Sequence, residues 1–596
     1  MSEYTAITFA PVQGFIEKSR KLRDLYGGSL ILSFLSSRIV QEALCSGLEV
    51  ISPGLPNVQE GMPNRILIKG KFDPNHLRNT LLNEWQKILR ICREWIEKNL
   101  GFSKYYWSQP EDQIGKHKGE WERWESHTWE IFWGYGDSVE KAMEDLETRK
   151  LKRDWTGINW MGESSSLTGT DAIAWHQLGR KLEKGEEPGR SLTAKEKDEI
   201  ELFYRRLSWL FDNPDYRIGK PCLSLKQLRQ YEDDKPDDFG KYIAPNERLS
   251  IPELVKRLVT YDKIADEIGM EKLKKKKDDP EFKDINRDAG YWTGWFMGDG
   301  DKVGDKLQKL ASRHQDNPEQ RDRDLHEFTK LMREWGQKFK KKEDLFPAGK
   351  GRVIYAGGDD FLGVLYSEET KKGDKQEGQK EDKPEKIKPI EAFEWLLTLQ
   401  NHWQDLQKNL EKFGFKNDGK DDKRFTFSVG FVWAGHQVPQ RDILQHCREA
   451  EKRAKSLGRD RVTIRVVFNS GQSVEWTCPW DYLDILTKYR DRDGKTWGEN
   501  PNWNHIYSDW AELKNRHAIR LTKVAKNKYG EKESDDDIPI EIAVSLFNLY
   551  FDNAGEIFKK QQKRSDLIGE NTNLALVNWL DNLIEVGWQL CRNSNI

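Results

Sequence analysis

Residues 353–365 read VIYAGGDDFLGVL. Two apolar runs, 353–356 and 361–365, flank the polar tetrad Gly-Gly-Asp-Asp at 357–360. Apolar runs of strand length on either side of a short turn rich in glycine and aspartate predict a β-hairpin with two carboxylates at its tip. Glycine and aspartate are also ordinary turn residues, so the hairpin alone leaves its function open.

A second carboxylate cluster precedes this hairpin in the chain. The tetrad Gly-Asp-Gly-Asp at 298–301 follows a short apolar run, 292–297, and precedes a long helical segment predicted for 302–341. In a ferredoxin-like sheet the first strand and the central hairpin are neighbours, so the two clusters are expected to meet at one edge of the sheet. Asp301 could instead cap the helix that follows it.

Carboxylates gathered in this way are typical ligands of Mg²⁺ or Mn²⁺, which take hard oxygen donors together with substrate phosphates. Two such ions could lower the pKa of an attacking ribose hydroxyl and neutralise charge on a leaving pyrophosphate. Glycines beside them would let the backbone approach phosphates without an intervening Cβ. The candidate metal ligands and catalytic residues are Asp299, Asp359 and Asp360. The candidate nucleotide-binding residues beside them are Gly300, Asp301, Gly357 and Gly358.

The order of apolar and helical segments predicts an α+β chain with two ferredoxin-like palm domains. Strand-like runs at 4–10, 48–52, 65–69 and 128–133, with helical segments between them, give the order βαββαβ. The segments after residue 291 repeat that order around the hairpin. The predicted domains are a first palm at 1–150, a mostly helical middle domain at 151–290, a second palm at 291–470 and a C-terminal helical bundle at 471–596.

Two charged segments interrupt this pattern. Residues 367–388 are charged and of low complexity, which predicts a disordered insertion in the second palm. The run KLKKKKDD at 272–279 is predicted to be a solvated loop or helix end, with contact to nucleic acid as the alternative.

Charge and composition narrow the class of protein. A net charge of −2 argues against an autonomous nucleic-acid binder, yet it allows a subunit that touches RNA beside more basic partners. No apolar run approaches the ~20 residues that span a bilayer, and the first residues lack signal-peptide features, so we expect a cytoplasmic protein without membrane contact. The six cysteines are scattered singly, so their spacing predicts neither a zinc site nor a disulfide framework. The 24 tryptophans could fill cores or subunit interfaces.

The residues after the hairpin carry a first resemblance. The tract FSVGF at 427–431 and the pattern A-E-x-x-A-K-x-x-G-R-D-R at 450–461, together with GGDDF, resemble the C-terminal half of diguanylate cyclase domains. The resemblance implies that Lys455 reaches the nucleotide phosphates, whereas the plainer interpretation is a solvated helix end. Residues 299–314 contain no asparagine of the kind those cyclases use for guanine, which favours another nucleotide.

A closer resemblance begins at the N-terminus. The stretch FAPVQGFI at 9–16, the pattern S-R-x-x-R-D-L-x-G-G-S at 19–29 and PNR at 63–65 are similar to the first palm of the large subunit of type III-B (Cmr) CRISPR effector complexes. The resemblance implies a second, cyclase- or polymerase-like palm that joins ATP into cyclic oligoadenylate when a guide-RNA complex engages target RNA. It implies the other complex subunits, guide RNA and target RNA as partners. Its further nucleotide-pocket candidates, from the first palm, are Gln13, Ser19, Arg23 and Ser29.

The chain also departs from that family. It begins directly at the palm and contains no His-Asp dipeptide, so we expect no HD nuclease activity. In Gly219-Lys220-Pro221-Cys222, Leu225 stands where the second cysteine of a C-x-x-C pair would be, so the zinc of the middle domain is expected to be lost.

Two other functions remain open at this stage. The first is a scaffold subunit that organises guide and target RNA, with catalysis weak or lost. The second is a free-standing cyclase that makes cyclic dinucleotides without RNA.

Overall fold

The computed structural model describes residues 3–592 except 55–62, 108–118, 153–159, 161, 188, 214–221, 236–239, 241, 271–289, 315, 340–349, 368–385, 416–423, 525–531 and 560. The basic run at 272–279 and most of the predicted insertion at 367–388 therefore lie outside the described residues. The chain forms two compact units, one of residues 1–284 with 311–330 and one of residues 285–310 with 331–596.

The first unit contains a four-stranded sheet. Its strands are β1 (Tyr4–Ala10), β2 (Glu49–Ser52), β3 (Arg65–Lys69) and β4 (Glu130–Gly136). They pair in the order β2–β3–β1–β4, and every pair is antiparallel. This is the order expected when a βαββαβ chain folds with its third strand between the first two.

Helices of six to 27 residues pack on this sheet and continue into the middle of the chain. The helices are α1 (Val12–Glu17), α2 (Leu22–Cys45), α3 (Pro74–Leu100), α4 (Glu120–His127), α5 (Val139–Leu151), α6 (Ala194–Asp212), α7 (Leu225–Asp234), α8 (Ile251–Leu258) and α9 (Asp262–Ile268). Helix α3 shows why these bounds arise, because Asp73 caps its N-terminus ahead of Pro74 and Gly101 ends it in a left-handed conformation.

The second unit contains a six-stranded sheet. Its strands are β5 (Thr293–Gly300), β6 (Gly351–Ala356), β7 (Phe361–Leu365), β8 (Phe427–Ala434), β9 (Arg461–Val467) and β10 (Ser473–Pro479). The order is β10–β9–β8–β5–β7–β6, with β8 and β9 parallel and the other pairs antiparallel. The four strands β8–β5–β7–β6 repeat the strand order of the first unit.

Strand β10 was not predicted from the sequence, which assigned residues 471–596 to a helical bundle. It pairs antiparallel with β9 across the tight turn at 468–472, where the Phe468 N–H donates to the Gln472 carbonyl at 2.9 Å. The sheet therefore extends beyond residue 470, the predicted end of the second palm.

The helices of the second part of the chain are α10 (Val303–Ser312), α11 (Pro318–Lys338), α12 (Pro389–Leu410), α13 (Gln440–Ser456), α14 (Asn504–Asn515), α15 (Glu541–Tyr550), α16 (Gln561–Ile568) and α17 (Asn573–Cys591). Short 3₁₀ helices lie at Glu411–Phe413, Trp480–Lys488, Asp535–Asp537 and Ala554–Lys559. The helical segment predicted at 302–341 is broken into α10 and α11, because Pro318 cannot continue a helix and starts a new one. Residues 311–330 of this stretch belong to the first unit.

Several tryptophans fill the cores of the two units. The fully buried ones are Trp85, Trp107, Trp121, Trp295, Trp335, Trp476, Trp503 and Trp510. Burying such large apolar surfaces stabilises a chain of this polarity. Among the described residues, no helix combines the length and the apolar character needed to cross a membrane.

Candidate metal and nucleotide site

The end of β5 and the tip of the β6–β7 hairpin are neighbours in the second unit. Asp299 lies opposite Ser428 of β8, and the adjacent Gly298 lies opposite Phe361 of β7. The Gly300 N–H donates to the carbonyl oxygen of Asp359 at 3.0 Å. The structure thus brings the two carboxylate clusters to one edge of the sheet.

Glycine is required at two positions of this junction. A Cβ at Gly300 would lie 2.6 Å from Cγ2 of Val303 and 3.0 Å from Cβ of Asp359, so no larger residue fits without displacing the hairpin. Gly358 has a φ of +153°, which side chains rarely tolerate. The turn is closed by a hydrogen bond in which the Gly357 N–H donates to the Asp360 carbonyl at 3.0 Å.

The two hairpin aspartates are short of compensating charge. Loss of water to the surrounding protein raises the pKa of Asp359, and the nearby Asp360 and Asp299 carboxylates raise it further. Loss of water and repulsion from Asp299 also raise the pKa of Asp360, although its side chain keeps an exposed face. Oxygen donors that repel one another fit a hard divalent cation such as Mg²⁺ or Mn²⁺, which would relieve the repulsion.

Lys455 supplies a cation to this cluster. It lies near the end of α13, and its ammonium forms an ion pair with Oδ2 of Asp299 and another with Oε1 of Glu451, the latter at 2.5 Å. Partial burial opposes its charge, but the hydrogen bonds to Asp299 and Glu451 outweigh burial and raise the pKa of Lys455. The predicted phosphate-binding lysine therefore stands at the predicted metal site.

The carboxylate oxygens of Asp299, Asp359 and Asp360 do not all lie within 4.8 Å of one another. Among the described residues, only one group of three or more histidine, cysteine, aspartate or glutamate side chains has all its ligand atoms within 4.8 Å of one another. It consists of Asp491, Asp493 and His505. Asp491 and Asp493 lie in the loop before α14 and His505 lies in its first turn, away from the hairpin in sequence.

Asp301 is buried and engaged by the protein. Its carboxylate accepts hydrogen bonds from the Thr426 hydroxyl at 2.9 Å, the Ser428 hydroxyl at 2.8 Å and the Asp460 N–H at 2.9 Å. These contacts tie the end of β5 to β8 and to the turn between α13 and β9. They give Asp301 a structural role, and its place among the nucleotide-binding residues stays a prediction.

Arg333 was not found from the sequence. It is buried on α11, and its guanidinium donates to the carbonyl oxygens of Ala356 at 3.4 Å and Gly357 at 3.3 Å. It therefore holds the backbone that leads into the carboxylate turn. An arginine in a helix as charged as α11 gives no sequence signal of such a role.

The four candidates from the first palm lie on α1, α2 and the loop between them. Gln13 is exposed, whereas Ser19 is buried and its hydroxyl donates to the Ile16 carbonyl at 2.5 Å. Arg23 stacks over the ring of Tyr242 at 3.4 Å, and Ser29 is buried within α2. Their roles toward a nucleotide stay predictions.

The partner of Asp24 is Arg257 of α8, whose guanidinium donates to both carboxylate oxygens at 2.7 and 2.8 Å. Helices α2 and α8 approach closely there, because a Cβ at Gly27 would lie 1.8 Å from the Lys256 carbonyl oxygen. The spacing of aspartate and glycines in this stretch thus has a packing explanation, in which Asp24 and Arg257 form a buried ion pair.

Residues 4–88 match the sequence model of the family described as CRISPR-associated protein Cmr2, N-terminal. The chain is similar to a solved Csm1–Csm4 cassette in complex with cA4, with a TM-score of 0.43 and 13% identity over 99% of this chain and 70% of that one. It is also similar to a type III-B Cmr-beta complex in the apo state, with a TM-score of 0.43 and 10% identity over 98% and 82% of the two chains.

A further similar structure is Csm1 of T. onnurineus, with a TM-score of 0.41 and 14% identity over 99% of this chain and 70% of that one. The comparison with curated proteins finds no match. The match of residues 4–88 covers strands β1 to β3, the helices between them and the first part of helix α3.

Proposed function

We propose that this chain is the cyclase subunit of a type III-B RNA-guided CRISPR effector complex, in which it joins ATP into cyclic oligoadenylate when target RNA is bound. The observation that carries the proposal is the hydrogen-bonded junction of the Asp299 strand end with the Asp359–Asp360 turn. The match of residues 4–88 to the Cmr2 N-terminal family supports the setting.

In this proposal Asp299, Asp359 and Asp360 hold two Mg²⁺ or Mn²⁺ ions. When bound, such ions would lower the pKa of an attacking ribose hydroxyl and neutralise charge on the leaving pyrophosphate. The chain's own contribution is to hold these carboxylates in place, through Arg333 on the hairpin backbone and Asp301 at the end of β5. The Lys455 ammonium leaves Asp299 and forms an ion pair with the phosphates of ATP instead.

The glycines of the junction serve the same purpose. Gly300, Gly357 and Gly358 leave the backbone bare beside the carboxylates, so that a triphosphate can approach it closely. The near-neutral net charge fits a subunit that meets guide and target RNA through the other subunits of its complex rather than by itself.

The test is mass spectrometry of the products that the purified complex makes from ATP, Mg²⁺ and matching target RNA. Cyclic adenylates should form with the wild-type chain and should be absent when Asp359→Ala and Asp360→Ala are combined. Product from the isolated chain without RNA would instead favour a free-standing cyclase.

A second candidate function is an RNA-organising scaffold with weak or lost catalysis. The ion pair of Lys455 with Asp299 favours it, because it occupies a carboxylate that the metal needs. A complex that binds target RNA normally but makes no nucleotide product with Mg²⁺ or Mn²⁺ would support this second function.

A further inference from the structure

Helix α13 is held close to the sheet at the point where it passes the carboxylates. A Cβ at Gly430 of β8 would lie 2.2 Å from the Cys447 carbonyl oxygen and 2.6 Å from the Glu451 nitrogen. Gly430 is paired with Met297 of β5, two residues before Asp299. This close packing fixes the turn of α13 that carries Glu451 beside the end of β5.

Glu451, Lys455 and Asp299 form a chain of alternating charges that runs from the protein interior outward. Their side chains are 11%, 28% and 38% exposed, in that order. The ammonium of Lys455 is shared between the buried carboxylate of Glu451 and the more open carboxylate of Asp299. Glu451 and Lys455 are four residues apart on one helix, so this pair can persist whatever happens at Asp299.

We propose that Glu451 is a positioning residue for the metal site: it retains the Lys455 ammonium when a divalent cation takes Asp299. A poorly hydrated ammonium without a carboxylate partner would be costly, so a lysine that had only Asp299 would resist displacement. With Glu451 one helical turn away, the ammonium can leave Asp299 and remain paired until a phosphate reaches it. This inference rests on the proposed function, because it takes Asp299 as a metal ligand.

The proposal predicts opposite effects of two substitutions on metal binding in the absence of nucleotide. Glu451→Gln removes the second partner, so the ammonium stays on Asp299 and the affinity for Mn²⁺ should fall about tenfold, in the range usual for residues that orient metal ligands. Lys455→Met removes the competing cation, so the affinity for Mn²⁺ should rise. Glu451→Asp keeps the charge and should recover part of the loss.

A double-mutant cycle separates this role from a simple charge effect. If Glu451 acts through Lys455, Glu451→Gln should have little effect on Mn²⁺ affinity in the Lys455→Met background. If Glu451 merely attracts the cation by its charge, the same loss should appear in both backgrounds, and that result would overturn the proposal. An unchanged affinity in Lys455→Met would overturn it as well.

The measurement is titration of the full-length chain with Mn²⁺, followed by electron paramagnetic resonance of the free ion. Thermal melting of each variant checks that it is folded. Asp493→Asn removes a potential ligand of the separate Asp491–Asp493–His505 group, so that Mn²⁺ binding to that group can be subtracted. Affinity is compared only among variants that melt like the wild type, and Glu451→Asp provides the comparison if Glu451→Gln does not fold.

The same titration of a variant that combines Asp359→Ala and Asp360→Ala shows whether the role of Glu451 or the metal site itself is wrong. If these substitutions abolish the binding and Glu451→Gln changes nothing, the role of Glu451 is wrong and the metal site stands. If they leave the affinity unchanged, the metal site is wrong, and both the proposed function and the role of Glu451 fall with it.

Discussion

Asp299 and Lys455 form an ion pair although 156 residues separate them in the chain. Asp299 is the last residue but one of β5 and Lys455 lies near the end of α13, so the pair joins the two elements that carry the predicted metal ligand and the predicted phosphate contact. The net charge at this edge of the sheet therefore depends on whether Asp299 is paired with the Lys455 ammonium or with a divalent metal ion.

The affinity for divalent metal should fall as the pH falls. The pKa values of Asp359 and Asp360 are raised by loss of water and by repulsion from neighbouring carboxylates, so both side chains take up protons at a higher pH than an ordinary aspartate, whose pKa is about 4. Protons then compete with the metal. Mn²⁺ titrations between pH 8 and pH 5.5 should show steadily weaker binding, and an affinity independent of pH would contradict the raised pKa values.

When a chelator removes divalent metal, the carboxylates of Asp359 and Asp360 should destabilise the folded chain. Their folded-state pKa lies above the unfolded value, so folding is favoured while they are protonated and this advantage is lost as the pH rises through the folded-state pKa. We expect combined Asp359→Asn and Asp360→Asn to raise the melting temperature at pH 8 and to raise it less at pH 5.5. A gain that is equal at both pH values would point to a cause other than charge.

Asp299 and Asp301 should respond differently to substitution by asparagine. Asp301→Asn disturbs a carboxylate that accepts three hydrogen bonds, and an unmet buried group costs about 1–3 kcal/mol. Asp299→Asn touches an open carboxylate and should leave stability nearly unchanged while it abolishes nucleotide product. Chemical denaturation and product analysis on both variants check this contrast, and an equal loss of stability in the two variants would contradict it.

Gly300→Ala should distort the junction of β5 with the hairpin. The new methyl would press on Val303 and on Asp359, and overpacking of this kind costs about 1–3 kcal/mol. Gly304→Ala on α10 is the matched control, because nothing lies within 4 Å of its Cβ position and alanine favours a helix by up to about 1 kcal/mol. Thermal melting should therefore move in opposite directions for the two variants.

Arg333→Leu should loosen the carboxylate turn. The substitution leaves the carbonyl oxygens of Ala356 and Gly357 without the guanidinium, and hydrogen bonds to charged groups contribute about 1.5–3 kcal/mol each. Glu334→Gln, an exposed position on the same helix, should have little effect. The check is the unfolding midpoint of both variants, and a wild-type midpoint for Arg333→Leu would show that the turn does not depend on it.

The order of the four strands of the first sheet and of β5 to β8 in the second agrees with the predicted βαββαβ pattern. Alternating or continuous apolar runs mark β1, β5 and β7, and the turn residues between β6 and β7 fix the hairpin that carries Asp359. Strand β10 was not predicted, because polar residues such as Glu475 interrupt a short segment whose pairing depends on β9. The break between α10 and α11 was not predicted, because the charged pattern of the sequence continues across the break. Pro318 was the sequence signal for it.

The contacts that complete the candidate site could not be predicted in the same way. Arg333 and Glu451 are ordinary charged residues of amphipathic helices, and only the packing of α11 and α13 on the sheet brings them to the carboxylates. Asp24 is a similar case in the first unit, since its partner Arg257 is 233 residues away. Long-range pairing of this kind leaves no trace in local spacing.

The most direct test of the proposed chemistry compares wild type and Asp299→Asn in the assembled complex. Each is given ATP, Mg²⁺ and either matching or mismatched target RNA, and the products are identified by mass spectrometry. We predict cyclic adenylates only from the wild type with matching RNA. Equal product from Asp299→Asn, or no adenylate product from the wild type under any divalent metal, would contradict the assignment of this edge of the sheet as a nucleotidyltransferase site.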